Sequence, residues 1–556
     1  MSSRVPSRNQ ISLIPELVKN RIENKPHAAR FFYYIANALY LPFYETKHQG
    51  TPPYDRPTLV ALILYSLYKG HFSPEDMIKF AKENLGAIWI LGNMLLPSAK
   101  TLSRIIDDIL DNIELIFEQV ICLCHNFNLI AEERMYIDGT KTKANASKHK
   151  AMSYEYLCNK IDKSEKQISD LIKEVFAFID DYEQLSDKDL KELILLESKK
   201  IYQETKAQHL KKLRAEQIVL FSGTKEQNLI NNDIEQDLKI LNRVNNDNKE
   251  DIQETMDAIG FKAVRLDKMK DSKKLLEDNW KKENANTKIP DKTQINFTDP
   301  ESSIMTTKHN GVQQCYNNFA LVDDKAHIIT GAYTTNSPGD KQAFIPTVEH
   351  ADSISTLPEG ITIGADAGFF SATNIEYSLK NDIDFYVSFP VANSPYAKDK
   401  FIYDKEQDQY ICPEDKILQP GKNAREGTKS TVYKTESCLD CPSQSKCTKA
   451  KDGIRKIVRE NEEDALREIA KEKALTLEGR DILRMRKSVP EPVWGNMKQR
   501  DDLVQLHYRG LDKAGKEFKL RCVMHNLRKL FKVFATNTIA RKTIIEMGAI
   551  PLDNVI

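Results

Sequence analysis

ERMYIDGT (133–140) and, far downstream, GITIGADAGFF (360–370) share one local design. A short apolar run reads as a strand and closes on an aspartate, Asp138 or Asp366, with a glycine within two residues. Strand ends are where an α/β sheet presents its ligand-binding groups. If the two strands are neighbours, their carboxylates converge, and like charges that close stay ionised only beside a cation. Hard oxygen donors favour Mg²⁺, which takes few carboxylates together with water and phosphate oxygens. Either Asp taken alone is better explained as closing its strand with an ordinary turn, where Asp is common.

Working outward from these two runs, YNNFALVDDKAHIITGAYTT (316–335) alternates as two strands joined at Asp323-Asp324-Lys325, a hairpin signal. GDKQAFIPTVEHADSI (339–354) reads as a helix, and ATNIEYSLKNDI (372–383) followed by DFYVSFP (384–390) as a helix and a strand. The order describes an α/β layer architecture, a mixed sheet flanked by helices. Ahead of it, residues 1–130 read as all-helical, with apolar periodicity in PELVKNRI (15–22), ARFFYYIANALY (29–40), RPTLVALILYSLYKG (56–70) and PEDMIKFAKENL (74–85). Ser98 is expected to cap a further helix pair over 97–130. Short helices joined by tight turns suit a DNA-binding helix-turn-helix, although most small helical domains do not bind DNA.

The core sequence is expected over 131–150 and 290–400, interrupted by 151–289. There Tyr154, Ile161, Ile168 and Val175 repeat every seven residues, interleaved with Leu157, Leu171 and Phe178, which marks a long amphipathic helix. KELILLESKKIYQETKAQHLKKL (191–213), IEQDLKILNRVNN (234–246) and AVRLDKMKDSKKLLEDNWKKE (263–283) continue as charged helices. Their apolar residues look too sparse for a globular core, so a helical hairpin or coiled-coil insertion serving spacing or oligomerisation is the expectation. A Cys-rich insertion is expected over 401–455, and 456–556 as a basic helical part.

Lys plus Arg and Asp plus Glu both total 81, so net charge favours no polyanion partner, but its distribution does. Between Arg480 and Lys542 stand 16 Lys/Arg and 6 Asp/Glu, a local excess of +10. Such a block draws a polyanion, unless it is a solvated surface balanced by acidic helices. No run approaches the roughly 20 apolar residues of a membrane span, and MSSRVPSRNQ lacks the apolar core of a signal peptide, so a cytoplasmic protein is expected.

Of nine cysteines, Cys122, Cys124, Cys158, Cys315 and Cys522 sit in apolar or mixed runs as reduced thiols would. The other four, Cys412 in YICPEDKI and Cys438, Cys441 and Cys447 in SCLDCPSQSKC, fit a tetrahedral structural Zn²⁺ site, although five residues separate Cys441 from Cys447. Four unrelated thiols in a polar insert is the plainer alternative.

YIDGTKTKANASKHK (136–150), GADAGFFSATNIEYSLKNDIDFYVSFP (364–390), EPVWGNMKQRDDLVQLHYRGLDKAGKEF (491–518) and LRCVMHNLRKL (520–530) resemble, in order, the catalytic blocks of DDE transposases of bacterial insertion sequences. RPTLVALILYSLYKG resembles the helical N-terminal domain of the same family. The resemblance implies an RNase H-like core with Asp138, Asp366 and Glu491 as the catalytic, metal-holding carboxylates. It implies two Mg²⁺ ions, with Mn²⁺ a substitute, for cutting and strand transfer. It also implies double-stranded DNA as partner, both inverted-repeat ends and target, and a homodimer in the DNA complex. Glu491 stands among Arg484, Lys487 and Lys498, matching the family's habit of surrounding the last acid with DNA-contacting cations. The family's Tyr and Arg, seven and four residues before this Glu, are Arg484 and Lys487 here. Lys141, Lys143, Arg500 and Arg509 complete the candidate DNA contacts. Another RNase H-fold nuclease would share Asp138 and Asp366, and a catalytically silent DNA-binding relative is a further alternative.

Overall fold

The computed structural model describes residues 22, 25–45, 54–177, 186, 188–203, 205, 249–283, 287–307, 311–423 and 430–549. PELVKNRI, apart from Ile22, and IEQDLKILNRVNN lie outside them. The chain divides into two compact units, one of Met1–Asn145, Met305–Gly311 and Cys315–Ile556, the other of Ala146–Ile304 and Val312–Gln314.

The larger unit is mixed α/β. Its sheet comprises β1 (Arg134–Lys143), β4 (Ser303–Thr307), β5 (Gly311–Asp323), β6 (Ile329–Thr335), β7 (Thr362–Ala365) and β8 (Asp384–Val387), ordered β4-β5-β1-β7-β8 with β6 also paired to β5. β5 runs antiparallel to β1 and β6, whereas β7 runs parallel to both β1 and β8. The arrangement is consistent with an RNase H-like core. Its parallel half is buried by apolar side chains on the sheet and on flanking helices, including Ile137, Phe319, Ile363, Phe344, Val348 and Ile375. Gly331 on β6 is required by this packing, because a Cβ there would lie 2.6 Å from the carbonyl oxygen of Thr347 on helix Phe344–Ile354.

Asp138 does not end its strand. β1 continues five residues past it, because Gly139 to Lys143 stay paired with Phe319 to Cys315 of β5. The expectation that the strand closes on Asp138 fails for a physical reason: β5 supplies a full antiparallel partner, and ladder hydrogen bonds outweigh the local turn preference of Asp-Gly. Asp366 does close β7, and accepts a hydrogen bond from the backbone N–H of Gly368 at 2.8 Å.

The N-terminal region is helical, with helices Ala28–Ala38, Arg56–Tyr68, Pro74–Glu83, Leu85–Leu91, Ala99–Asp111 and Ile113–Asn126. Asp55, Ser73, Asn84 and Ser98 each accept a backbone N–H of the helix they open. Arg56–Tyr68 is apolar almost all round and correspondingly buried. Among the described residues no helix is long and apolar enough to cross a membrane.

These helices pack on the long C-terminal helix Leu511–Thr536, where Phe31 meets Phe531 and Phe534 at 5.5 Å between ring centroids. His525 on that helix is 2% exposed and its Nε2 donates to the carbonyl oxygen of His327 at 2.9 Å. Burial pushes its pKa down to about 3, against an ordinary 6.5. The unfolded chain therefore takes up a proton below pH 6.5 that the folded chain refuses, so stability is full above that pH and falls towards pH 3. We expect His525→Gln to lose about 2 kcal/mol less than the parent between pH 7 and pH 5. Denaturant unfolding at the two pH values measures this, and equal losses in both proteins refute it.

In the smaller unit, β2 (Ala151–Ser153) pairs with β3 (Gln294–Asn296) at the base of helix Tyr154–Phe176, beside helical segments 188–203 and Lys249–Glu283. The sparse apolar residues do form a core. Leu157, Ile161, Ile168, Ile172 and Val175 are buried with Leu190, Ile194, Met256, Ile259 and others, each helix contributing one stripe. Ile172 lies outside the seven-residue repeat and is buried.

The segment after β8 forms an antiparallel sheet, β9 (Ile402–Asp404), β10 (Gln409–Ile411), β11 (Ile417–Asn423), β12 (Ser430–Lys434) and β13 (Ile457–Glu460), ordered β13-β12-β11-β10-β9. Polar as its sequence is, it has a small core of Phe401, Tyr410, Leu418, Tyr433 and Ile457. Arg459 locks it to helix Asn461–Leu475 through Glu468 and lies 3.6 Å from the ring centroid of Tyr403.

Candidate active site

The parallel register of β1 and β7 pairs Arg134 with Thr362, Met135 with Ile363 and Tyr136 with Gly364. Two residues further along each strand stand Asp138 and Asp366. Equivalent positions on neighbouring parallel strands project from the same face, which brings the two carboxylates together although 228 residues separate them. Burial, with the charge of Asp366 nearby, pushes the Asp138 carboxyl up to about 6, against the opposing pull of Gly139, Arg486 and Trp494.

Trp494 Nε1 donates to Asp138 Oδ2 at 3.2 Å, and Arg486 Nη1 lies 3.9 Å from Asp138 Oδ1. Trp494 belongs to helix Pro490–Arg500, whose first turn carries Glu491. Residues three apart share a helix face, so Glu491 sits one turn from the Trp494 side chain, and it is exposed. Among the described residues no group of three or more His, Cys, Asp or Glu gathers closely enough to hold a metal ion.

Sequence reasoning missed a third carboxylate at this end of the sheet. Asp340, in the loop between β6 and helix Phe344–Ile354, accepts a hydrogen bond from Asn317 Nδ2 at 3.0 Å. A Cβ at Gly368 would stand 2.5 Å from Asp340 Oδ2 and 2.9 Å from Asp366 Oδ1. Adding those two distances bounds the separation of the oxygens at 5.4 Å and explains why residue 368 must be Gly. Burial, reinforced by the charge of Asp366, raises the Asp340 pKa. The only local signal was an acid next to a Pro-Gly turn in NSPGDKQ, which reads as a helix start. Arg486 and Trp494 were likewise unassigned.

The candidate DNA contacts fall into two groups. Arg484, Lys487, Lys498, Arg500 and Arg509 are exposed, while Lys141 and Lys143 are half-buried on β1. Arg509 Nε donates to the carbonyl oxygen of Asn145 at 3.0 Å, so one of its donors is committed to the fold. Several other cations of the basic block pair with acids. Arg521 binds Glu517, Arg528 binds Asp501, Lys516 binds Asp111 and Lys519 binds Glu114. The excess of +10 is therefore partly cancelled by these pairs.

Comparison with known families gives two matches. A model described as "Transposase domain (DUF772)" matches residues 18–108, and one described as "Transposase DDE domain" matches residues 411–531. No curated protein and no solved structure matches. Two separate stretches of transposase type, on helices that pack together, indicate a transposase. Together with the mixed α/β core they are consistent with the DDE type found in insertion sequences, and such a family implies DNA as partner. The DDE-domain match includes Glu491 and the four clustered cysteines, whereas Asp138 and Asp366 lie outside both matches.

Proposed function

We propose that the chain cuts and joins DNA strands at the Asp138 end of the sheet, with Asp138, Asp366 and Glu491 as its divalent-metal-holding carboxylates. The observation that carries this reading is the register of β1 and β7, which puts Asp138 and Asp366 side by side. Asp340 adds a further acid within reach of Asp366. The donor set fits Mg²⁺ or Mn²⁺: all are hard oxygens, and Asp138 and Asp340, both partly buried and repelled by the charge of Asp366, are raised in pKa as unneutralised acids are. When bound, divalent ions supply charge neutralisation for the phosphodiester and an acidified attacking water.

The residues of the chain then do the positioning. Trp494 and Arg486 hold the Asp138 carboxylate, Gly368 lets Asp366 and Asp340 approach, and the helix Pro490–Arg500 that bears Trp494 also carries Glu491 in its first turn. The exposed cations of 484–509 offset the repulsion between phosphate and carboxylates. The working unit on this reading is a homodimer, one copy for each inverted-repeat end, which then attacks target DNA. The test is incubation with the flanking inverted repeats and a target plasmid in Mg²⁺ or Mn²⁺. Joined products support a transposase, nicking without joining supports another nuclease, and metal-independent binding alone supports a silent relative.

The basic surface makes its own prediction. Arg484, Lys487 and Arg500 each changed to Gln should lower affinity for all DNA sequences. The slope of log affinity against log salt should flatten by about 0.9 for each phosphate that is no longer neutralised. An unchanged slope moves the DNA path elsewhere.

A further inference from the structure

The cavity under the β10–β11 turn is lined by Cys412, Cys438, Cys441 and Cys447, all of the cysteines between Cys315 and Cys522. We propose that this cavity is a structural Zn²⁺ site that staples the five-stranded module together, a role separate from DNA cutting.

The surroundings are those a tetrathiolate needs. Cys412 Sγ already accepts two backbone N–H groups, from Glu414 at 3.4 Å and Lys416 at 3.3 Å. Two amides turned onto one sulfur are the kind of outer hydrogen bonds that orient a metal ligand. Cys438 and Cys441 lie on one tight turn, where the N–H of Cys441 donates to the carbonyl of Cys438 at 3.3 Å. The two ligand-bearing segments are clamped by Glu414, whose Oε1 accepts from Tyr396 at 2.6 Å and from Ser443 at 2.9 Å. That clamp ties the loop of Cys412 to the loop of Cys441 without using any of the four sulfurs.

Charge points the same way. A Zn²⁺ with four thiolates carries a net charge of about −2, and Arg455 and Lys416 both line the cavity. Arg455 Nε is buried there with no hydrogen-bond partner, while its Nη2 donates to the Tyr396 carbonyl at 3.3 Å. A buried guanidinium donor without an acceptor is costly, and an anionic metal–thiolate cluster offsets that cost electrostatically. As the side chains stand, the thiols ring the cavity rather than closing on one point. Binding therefore requires thiol rotation on a backbone that already surrounds the site.

The module also has reason to need a staple. Its buried apolar core consists of Phe401, Tyr410, Leu418, Tyr433 and Ile457, with Cys412 and Cys447 packed against them. A core that small is short of what an independent module requires, and structural metals commonly make up the difference.

The test uses the full chain purified under reducing conditions from zinc-supplemented cells. About one Zn²⁺ per chain is expected, with sulfur–metal distances near ~2.3 Å by X-ray absorption. Cobalt exchanged into the parent protein should give thiolate-to-metal charge-transfer bands and tetrahedral d–d bands, a readout that needs no variant to fold. Chelation should lower the melting temperature. C438S/C441S should lose the metal, whereas Cys122→Ser, at an exposed cysteine outside the module, should retain it. Zinc below roughly a tenth per chain together with no cobalt–thiolate band overturns the proposal. A Cys438–Cys441 disulfide in the protein as purified overturns it too. Either failure leaves the cutting reaction untouched, because that is read from DNA products rather than metal content.

Discussion

Asp138→Asn should abolish DNA cutting and at the same time make the protein more stable. Both halves come from the same carboxylate. Lifting a buried carboxyl from its ordinary 3.8 to about 6 corresponds to roughly 3 kcal/mol of destabilisation at neutral pH, as an upper bound. The folded pKa is the higher one, so the cost is absent below pH 3.8 and complete above about pH 6. Asparagine removes the charge yet still offers an oxygen to Trp494 Nε1. In metal-free buffer at pH 7 the variant should therefore unfold later than the parent, and the gap should close as pH falls towards 4.

Its cutting rate, with that of Asp366→Asn, should fall on the order of 10³-fold or more, about 4 kcal/mol of lost transition-state stabilisation. DNA affinity measured without metal should hold. Asp340→Asn keeps a side-chain oxygen for Asn317 and should cost only about 10–100-fold, as supporting groups around a metal site do. A structural acid behaves oppositely, losing stability when neutralised. If Asp138→Asn melts earlier and still cuts, Asp138 is a fold residue and the active-site assignment falls.

What the sequence made legible, and what it hid, follows from the range of the interactions involved. Strand type, the hairpin of β5 and β6, and the helices around 344–354 and 372–380 are written in local periodicity, and they stand where that periodicity puts them. Asp366 closes its strand as its Asp-Ala-Gly context implies. Asp138, followed directly by Gly139, does not, because β5 extends its pairing to Lys143, a partner that lies beyond the helical insertion in sequence. The same limit hid Asp340, whose importance arises only from a glycine 28 positions away that lets two acids approach. Arg486, and not Arg484 or Lys487, lies nearest Asp138, since only the observed turn before helix Pro490–Arg500 decides which cation points inward. The helical insertion misled in the other direction. One stripe per helix looks insufficient in any single window, and three stripes pooled make a core.

Glu517→Ala should destabilise the chain by about 3–5 kcal/mol, the usual cost of leaving a buried ionic partner uncompensated. Glu517 is 2% exposed. Burial alone would raise its pKa, but hydrogen bonds from His507 and the charge of Arg521 hold it below the ordinary carboxylate range. It accepts the backbone N–H of His507 at 2.8 Å and of Tyr508 at 3.0 Å, while Arg521 Nη2 donates to it at 2.9 Å. Those bonds hang the segment after helix Pro490–Arg500 from the long helix. The same segment completes β1, through the N–H of Lys143 to the Val504 carbonyl at 3.2 Å and the N–H of Leu506 to the Lys143 carbonyl at 2.8 Å. Asn145 Nδ2 adds a bond to the His507 carbonyl at 2.6 Å. Loss of Glu517 should thus loosen β1 beyond Asp138 and the helix bearing Glu491 and Trp494, so cutting should fall together with stability. Two controls separate this from a general packing defect. Glu517→Gln retains an acceptor for the two backbone amides and should lose roughly half as much. Glu517→Met combined with Arg521→Met removes both charges and should recover much of the loss, since an apolar pair of similar volume often replaces a buried ion pair at little cost. Denaturant unfolding measures all three, and a single-variant loss under about 1 kcal/mol would show that the segment is held to β1 by its backbone pairing alone.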